Sequence, residues 1–174
     1  MALVIFLRGV NVGGHRTFRP SLLANRMKDY GCINIGAAGT FVIRKPGSQI
    51  RFRSELLRCL PFEADVMICT GQELIDAVSS APFDGAPPPS DVVRFVSVLA
   101  KAPRSAPSTP IHIPENGRWL LKILAIDGMF VFGIYRREMK AINCLGKIDD
   151  LLGLRATTRN WNTINAILKV LEKN

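Results

Sequence analysis

The chain has 174 residues, 48% of them hydrophobic, which is enough apolar material to bury a core and excludes an intrinsically disordered chain. Its 23 Lys and Arg residues exceed its 14 Asp and Glu residues, giving a formal net charge of +9. This excess biases the surface towards anionic partners, but the interpretation we favour is that it serves colloidal solubility. Residues 1–85 hold 10 basic and 7 acidic residues, a net of +3, whereas residues 86–174 hold 13 and 7, a net of +6. We therefore expect an electrostatic partner to prefer the second half.

The sequence lacks two features, a membrane helix and a signal peptide, and this narrows the class of protein further. No apolar run reaches the length of a membrane helix, and the start of the chain lacks the basic region of a signal peptide, so we expect a cytoplasmic protein that does not enter a membrane. The cysteines are Cys32, Cys59, Cys69 and Cys144. None forms a C-x-x-C pair, so we expect buried, reduced thiols and predict neither a metal site nor a cofactor.

The first half of the chain has the pattern of a small α/β sandwich. Apolar runs bounded by glycine and turn residues predict strands over 2–7, 32–35, 40–43 and 66–69. Helical spacing predicts a helix from Pro20 to Gly31, one after Ser48 that carries Ile50, Leu56, Leu57 and Leu60, and one over 72–78. The order β-α-β-β-α-β-α contains the split β-α-β unit of ferredoxin-like sandwiches.

A proline-rich stretch separates this half from the next. Residues 81–90, APFDGAPPPS, favour an extended connector, and we predict domains over 1–85 and 86–174. The second half is predicted to hold strands over 92–99, 119–126 and 129–135, a hairpin at Asp127-Gly128, a long loop over 101–116, a short helix over 143–152 and a final helix from about 158 to 172. The predicted fold class is α+β, with two ferredoxin-like sandwich units and antiparallel sheets.

The start of the final helix is the first candidate site. Thr157 or Thr158 is predicted as its N-cap, which places Arg159 in the first turn, where the macrodipole disfavours a cation by roughly 0.3–1 kcal/mol. An anion bound by Thr157, Thr158, Arg159 and Asn160 would offset that cost. The alternative is an ion pair between Arg159 and Asp149 or Asp150. Further along the helix, an apolar stripe predicts burial of Trp161, Ile164, Ile167, Leu168 and Leu171.

The second candidate site is a glycine-rich segment between the first strand and the first helix, LRGVNVGGH at residues 7–15. Its glycines permit positive φ, and its backbone N–H groups could form an anion-binding concavity. The alternative is a glycine-shaped turn in which Asn11 bonds local backbone. The candidate ligand-binding residues here are Arg8, Gly9, Asn11, Gly13, Gly14 and His15.

These two segments, LRGVNVGGH and ATTRNWNT at 156–163, together with GAAGTFV at 36–42, resemble the signatures of domain-of-unknown-function family 1697. The resemblance covers essentially the whole chain. It implies two linked ferredoxin-like units and a bacterial, cytoplasmic protein. It implies no activity, because the family has none assigned.

Three functions stay open at this point. The first is a binding module for an anionic, phosphate-containing ligand, held by the two segments, which we expect to line one groove. The second is a nucleic-acid-binding protein, since ferredoxin-like sheets can present aromatic residues to bases. The third is an enzyme acting on a phosphorylated metabolite, with His15 as acid or base; no catalytic motif is present. Arg136, Arg137 and Lys140 are expected to form a solvated basic rim.

Overall fold

A computed structural model describes residues 1–11, 14 and 17–173. The strands are β1 Leu3–Leu7, β2 Cys32–Asn34, β3 Thr40–Ile43, β4 Val66–Thr70, β5 Val92–Leu99, β6 Ile111–Ile113, β7 Leu121–Asp127, β8 Phe130–Arg136 and β9 Ala156–Asn160. The α-helices are α1 Pro20–Arg26, α2 Gln49–Cys59, α3 Gly71–Ser79, α4 Met139–Asn143, α5 Lys147–Leu152 and α6 Trp161–Leu171. Within these ranges, no helix is long and apolar enough to cross a membrane.

The chain divides into two compact units, and each is described by itself. The first comprises Met1–Ile75 with Asn165–Asn174, and the second comprises Asp76–Ile164. The boundary predicted near residue 85 lies between the two sheets, whereas this division falls inside α3. It also places the last turns of α6 with the first unit, where Leu171 packs so closely that a Cβ on Gly71 would lie 2.8 Å from its Cδ2.

The first unit has the strand order β2-β3-β1-β4, and every neighbouring pair is antiparallel. Strand β1 therefore lies between β3 and β4, and the parallel strands β1 and β2 are split by β3. This is the split β-α-β arrangement that the sequence predicts. Helices α1 and α2 contribute Leu23, Phe52 and Leu56 to the core that includes Leu3 and Ile5.

The apolar residues of α2 are only partly buried. Ile50 and Leu57 of α2 are 81% and 42% exposed, whereas Phe52 and Leu56 are buried. The helix is short and its apolar residues surround it, so the periodicity alone could not choose the stripe that meets the sheet. The aromatic ring of Phe52 takes the buried position and packs edge-on against Tyr30, with ring centroids 5.3 Å apart.

The second unit has the strand order β6-β7-β8-β5-β9, again antiparallel throughout. Strands β5, β7, β8 and β9 repeat the split arrangement of the first unit, and Cys144 and Ile148 pack against the sheet in its core. The connection from β5 to β7 was predicted as a loop, but it contains the three-residue edge strand β6. The predicted α+β class with two sandwich units is confirmed.

The predicted start of the last helix is wrong. Residues Ala156–Asn160 form β9, which pairs with Leu99–Phe95 of β5, and the helix begins at Trp161. Strand pairing prevails here because β-branched threonines fit a pleated surface, and because a strand beside β5 completes the sheet. Trp161 is half-buried, whereas Ile164, Ile167 and Leu171 of the predicted stripe are buried.

Candidate functional site

Asn11 holds the glycine-rich segment in place. Its backbone lies in the left-handed region with φ of 55°. Its Nδ2 donates to the carbonyl oxygen of Ala37 at 2.9 Å, and its Oδ1 accepts from the backbone N–H of Phe18 at 2.9 Å. One side chain thus ties the β2–β3 turn to the residue that leads into α1. The bond with Phe18 is of the nearby backbone type that the turn interpretation predicts, whereas the bond with Ala37 joins segments distant in sequence.

Three other candidates of the segment can be located. The backbone N–H of Arg8 donates to the carbonyl oxygen of Asp65 at 3.0 Å. Gly9 and Gly14 have φ of 67° and 77°, so the predicted positive φ is confirmed at both. Gly13 and His15 lie outside the described residues. An anion-binding concavity in this segment therefore stays a prediction.

Arg159 lies in β9 and is 6% exposed. Its Nη1 donates to Thr157 Oγ1 and to the carbonyl oxygen of Thr158, both at 2.9 Å. Burial lowers the pKa of its guanidinium to about 10 from the ordinary 12.5, yet the group stays protonated at neutral pH. Because Arg159 precedes the helix, the argument from the macrodipole does not apply to it.

The N-cap of α6 is Asn160, not Thr157 or Thr158. Its Oδ1 accepts from the backbone N–H of Thr163 at 2.9 Å and from the Thr163 hydroxyl at 3.0 Å. Asparagine is among the preferred N-cap residues for this reason. The Thr158 hydroxyl instead shares a 2.6 Å hydrogen bond with that of Ser97, its partner across the β5–β9 ladder.

A cleft of about 420 Å³ lies where β5 begins. Because β5 runs antiparallel to β8 and β9, its first residues lie beside the last residues of both neighbours. The described residues that line the cleft are Pro89, Val92, Val93, Arg94, Tyr135, Arg137, Asn160, Trp161 and Asn162. Two of them are arginines and none is acidic, so the cleft has a positive electrostatic potential.

Arg94 is the unusual member of this set. It is the one charged residue of β5, and its Nε is buried with no hydrogen-bond partner among the described residues. A buried donor without a partner costs roughly 1–3 kcal/mol, so such groups are rare in folded proteins. Its guanidinium carbon lies 5.4 Å from the ring centroid of Phe83. The resting position of Arg94 thus leaves a strong donor unsatisfied beside an open cleft.

Arg137 supplies the second positive charge, and its position is fixed by backbone contacts. Its Nη2 donates to the carbonyl oxygen of Pro89 at 2.6 Å and contacts that of Val92 at 3.4 Å. Burial raises the pKa of the neighbouring Tyr135, and the charge of Arg137 partly offsets that rise. The charge of Arg137 therefore lowers the pKa of a tyrosine that lines the cleft, although Arg137 is itself exposed.

Of the residues that the sequence singled out for binding and that the structure describes, only Asn160 lines this cleft. Arg137 was expected in a solvated rim. Arg94 was missed, although a charged residue inside an apolar strand was a visible signal. In the part of the chain that the structure describes, no group of three His, Cys, Asp or Glu side chains could hold a metal ion.

The comparisons bear on family and fold. The sequence profile of the family described as "Protein of unknown function (DUF1697)" matches residues 1–118, which leaves the segment ATTRNWNT outside the match. A search of curated proteins found no match. The solved structure of the conserved bacterial protein SP0830 from Streptococcus pneumoniae is similar, with a TM-score of 0.56, 13% identity and 98% of each chain covered. That likeness concerns the fold alone, whereas the profile match over more than half the sequence shows that the chain belongs to the DUF1697 family.

Proposed function

We propose that the protein is a binding module for an anionic, phosphate-containing ligand, and that the cleft at the start of β5 is the binding site. One observation carries the proposal. The cleft is lined by two arginines and no described acidic residue, and the Nε–H of Arg94 is buried with no hydrogen-bond partner in the described part of the chain.

The chemistry of the guanidinium group explains why a phosphate suits this site. Its N–H donors form a planar fork that can bind two oxygens of one phosphate. An oxyanion that bridges Nε and Nη of Arg94 would supply the missing partner. Since Nε is buried, the side chain has to turn slightly to reach that geometry. Arg137 and the Asn162 amide can contact the remaining oxygens, and the capped start of α6 adds a positive end of a helix dipole.

Thermal denaturation of the full chain in inorganic phosphate, against chloride at equal ionic strength, tests the site. A ligand that binds only the folded state stabilises it by about 2.7 kcal/mol at 100 times Kd. We expect a phosphate-specific increment in melting temperature that Arg94→Gln and Arg137→Gln abolish. Arg104→Gln, which changes an exposed arginine of the same unit, should keep it. An equal increment in parent and Arg94→Gln would exclude the cleft as an anion site.

A separate proposal is that the glycine-rich segment also binds an anion, and the same thermal denaturation tests it. Arg8→Gln should reduce the phosphate increment if this segment also binds the anion, and should leave it unchanged if Asn11 holds a purely structural turn.

We also infer a cytoplasmic location, because all four cysteines are free thiols and a reducing compartment keeps thiols in that state.

Nucleic-acid binding is the second candidate, and a cluster of cations around Trp119 favours it. Lys122 Nζ lies 4.5 Å and Arg136 Cζ lies 4.0 Å from the indole centroid. Arg136 Nε also donates to the carbonyl oxygen of Trp119 at 2.8 Å. Bases stack on aromatic rings beside basic groups, but here the protein's own cations already contact the ring. The enzyme hypothesis depends on His15, which lies outside the described residues.

A further inference from the structure

A second cleft adjoins the proposed anion site. It has a volume of about 350 Å³ and shares Arg94 and Trp161 with the first cleft. Its other walls come mainly from the segment that precedes β5, including Val78, Pro82 and Phe83. The two clefts therefore meet at one arginine and one tryptophan, and a single ligand could extend through both.

Most residues that line the second cleft are apolar or aromatic, but Arg94 and Asp84 are among them, whereas the first cleft carries two arginines and no described acid. Phe83 is buried and meets Trp161 edge to face, with ring centroids 4.8 Å apart at 71°. Phe83 also packs against Phe132, with centroids 6.1 Å apart. This packing fixes the position of Phe83, while Trp161 stays half-exposed along both clefts. A fixed, partly exposed indole is a suitable platform for a planar ring.

The wall that faces Trp161 is held rigidly and carries one acid. Ala81 has φ of 52°, a conformation that costs a non-glycine residue energy and often occurs beside ligands. Backbone bonds from Asp84 to Ala81 at 3.1 Å and from Ala86 to Phe83 at 3.0 Å close successive turns. Asp84 is exposed at the cleft. Its carboxylate would repel a phosphate but accept hydrogen bonds from hydroxyl or amino groups.

We infer that the ligand of this bipartite site is a nucleoside phosphate. The phosphate lies with Arg94 and Arg137, the planar base packs on Trp161, and Asp84 accepts hydrogen bonds from the sugar or the base. This inference rests on the proposed anion site. Each cleft lies within the size range of small-molecule sites, roughly 300–1,000 Å³, and the change from cationic to aromatic and acidic lining matches the polarity of such a ligand along its length.

Titration calorimetry of the full chain with AMP, ribose 5-phosphate, adenosine and inorganic phosphate tests this ligand class. Stacking of one base on an aromatic side chain makes AMP bind roughly tenfold more tightly than ribose 5-phosphate. Trp161→Leu should remove that difference and leave the affinity for ribose 5-phosphate unchanged. Trp119→Leu, at the other of the two tryptophans, is the matched control and should preserve it.

Two further measurements do not depend on the folding of Trp161→Leu. In Trp119→Phe, Trp161 is the one remaining tryptophan, and AMP but not ribose 5-phosphate should quench its fluorescence. Asp84→Asn, at an exposed position, should weaken AMP binding several-fold, whereas inorganic phosphate should bind as tightly as to the parent or more tightly, because a repelling charge is removed.

The outcomes separate this inference from the function on which it rests. Equal affinities for AMP and ribose 5-phosphate, with phosphate binding that Arg94→Gln abolishes, would overturn the nucleoside phosphate and leave the anion site standing. No binding of phosphate or AMP would overturn both. Binding of an RNA oligonucleotide without measurable affinity for AMP would also overturn the inference, because it would place recognition on a surface rather than in the cleft.

Discussion

At the scale of single residues, Gly133 leaves space in the middle of β8 for the ring of Phe95. A Cβ at position 133 would collide with Cζ of Phe95 and would lie 2.6 Å from the carbonyl oxygen of Lys122. Both neighbours are fixed, because Phe95 is fully buried and the carbonyl belongs to the adjacent strand. We expect Gly133→Ala to lower the free energy of unfolding by about 2 kcal/mol or more, as overpacked cores do.

Urea denaturation measures this change, and Gly146→Ala is the matched control. Gly146 has φ of −63°, a helical value, and a Cβ there would meet nothing within 4 Å. Alanine at such a position stabilises by about 0.4–1 kcal/mol. The two substitutions should therefore have opposite signs. A Gly133→Ala midpoint equal to that of the parent would show that β8 and β5 can move apart without cost.

Arg159 is the second residue whose role can be separated by substitution. Arg159→Gln removes the donors to Thr157 Oγ1 and the Thr158 carbonyl, and stranded buried acceptors cost roughly 1–3 kcal/mol. The variant also avoids the cost of burying a charged guanidinium, which opposes that loss. We therefore expect the free energy of unfolding to fall by about 1 kcal/mol, with the phosphate-specific rise in melting temperature unchanged. Thermal melts with and without phosphate check this, with Arg104→Gln as control. If Arg159→Gln kept the stability of the parent but lost the phosphate-specific rise in melting temperature, Arg159 would instead belong to the ligand site.

Arg94 and Arg159 show what residue patterns could and could not predict. Arg94 lies between Val93 and Phe95, whereas Arg159 lies between Thr158 and Asn160, and Arg159 was singled out because it was assigned to a helix. The structure gives Arg159 hydrogen bonds to Thr157 and Thr158, and among the described residues it leaves Nε of Arg94 without a partner. The surroundings of Arg94 include Phe83, eleven residues away in sequence, and local spacing carries no information about that contact.

At the scale of secondary-structure elements, the boundary between β9 and α6 determines how the candidate site is built. Residues 156–163 contain threonines, asparagines and one tryptophan, which suit both a strand end and a helix start. Local propensity therefore could not locate the boundary. Pairing with β5 extends the strand to Asn160, and the Asn160 side chain then begins the helix.

Removal of the Asn160 cap gives a direct test of that boundary. Asn160→Ala leaves the Thr163 N–H without its side-chain acceptor, so we expect a loss of about 0.5–2 kcal/mol in the free energy of unfolding. Asn162→Ala, at an exposed helical position, should be neutral or slightly stabilising, because alanine favours helices. Chemical denaturation of both variants compares them. No loss of stability in Asn160→Ala would contradict this N-cap.

At the scale of the whole molecule, the first unit was the more predictable of the two. Its β-α-β-β-α-β order occupies one continuous stretch of sequence, in which glycine and proline residues mark the ends of the strands and helices. The antiparallel pairing follows from that order. The second unit has the same split pairing, but residues 100–120 replace its first helix with a segment that holds only β6. Three residues are too few for a periodic pattern. Residues 165–173 belong to the first unit through contacts such as that of Leu171 with Gly71. The local sequence around them does not indicate these contacts.

Net charge is also a property of the whole chain, and it allows the nucleic-acid hypothesis to be judged apart from the cleft. Binding that rests on phosphate contacts weakens steeply with salt, and the slope scales with the number of contacts. The second half of the chain carries the larger net charge, +6 against +3. Substitutions there should therefore reduce weak nucleic-acid binding more than an equal number in the first half.

Two sets of exposed residues make that comparison. One combines Lys101→Gln, Arg104→Gln and Lys140→Gln, and the other combines Arg19→Gln, Lys28→Gln and Lys45→Gln. Each set removes three positive charges from the formal +9 and leaves the cleft intact. In filter binding at about 50 mM salt, where phosphate contacts are strong, we expect the first set to weaken retention of single-stranded DNA or RNA more than the second, with a shallower salt dependence. No retention by the parent protein would remove nucleic acid as a partner, and equal losses in the two sets would show that the uneven charge does not direct binding.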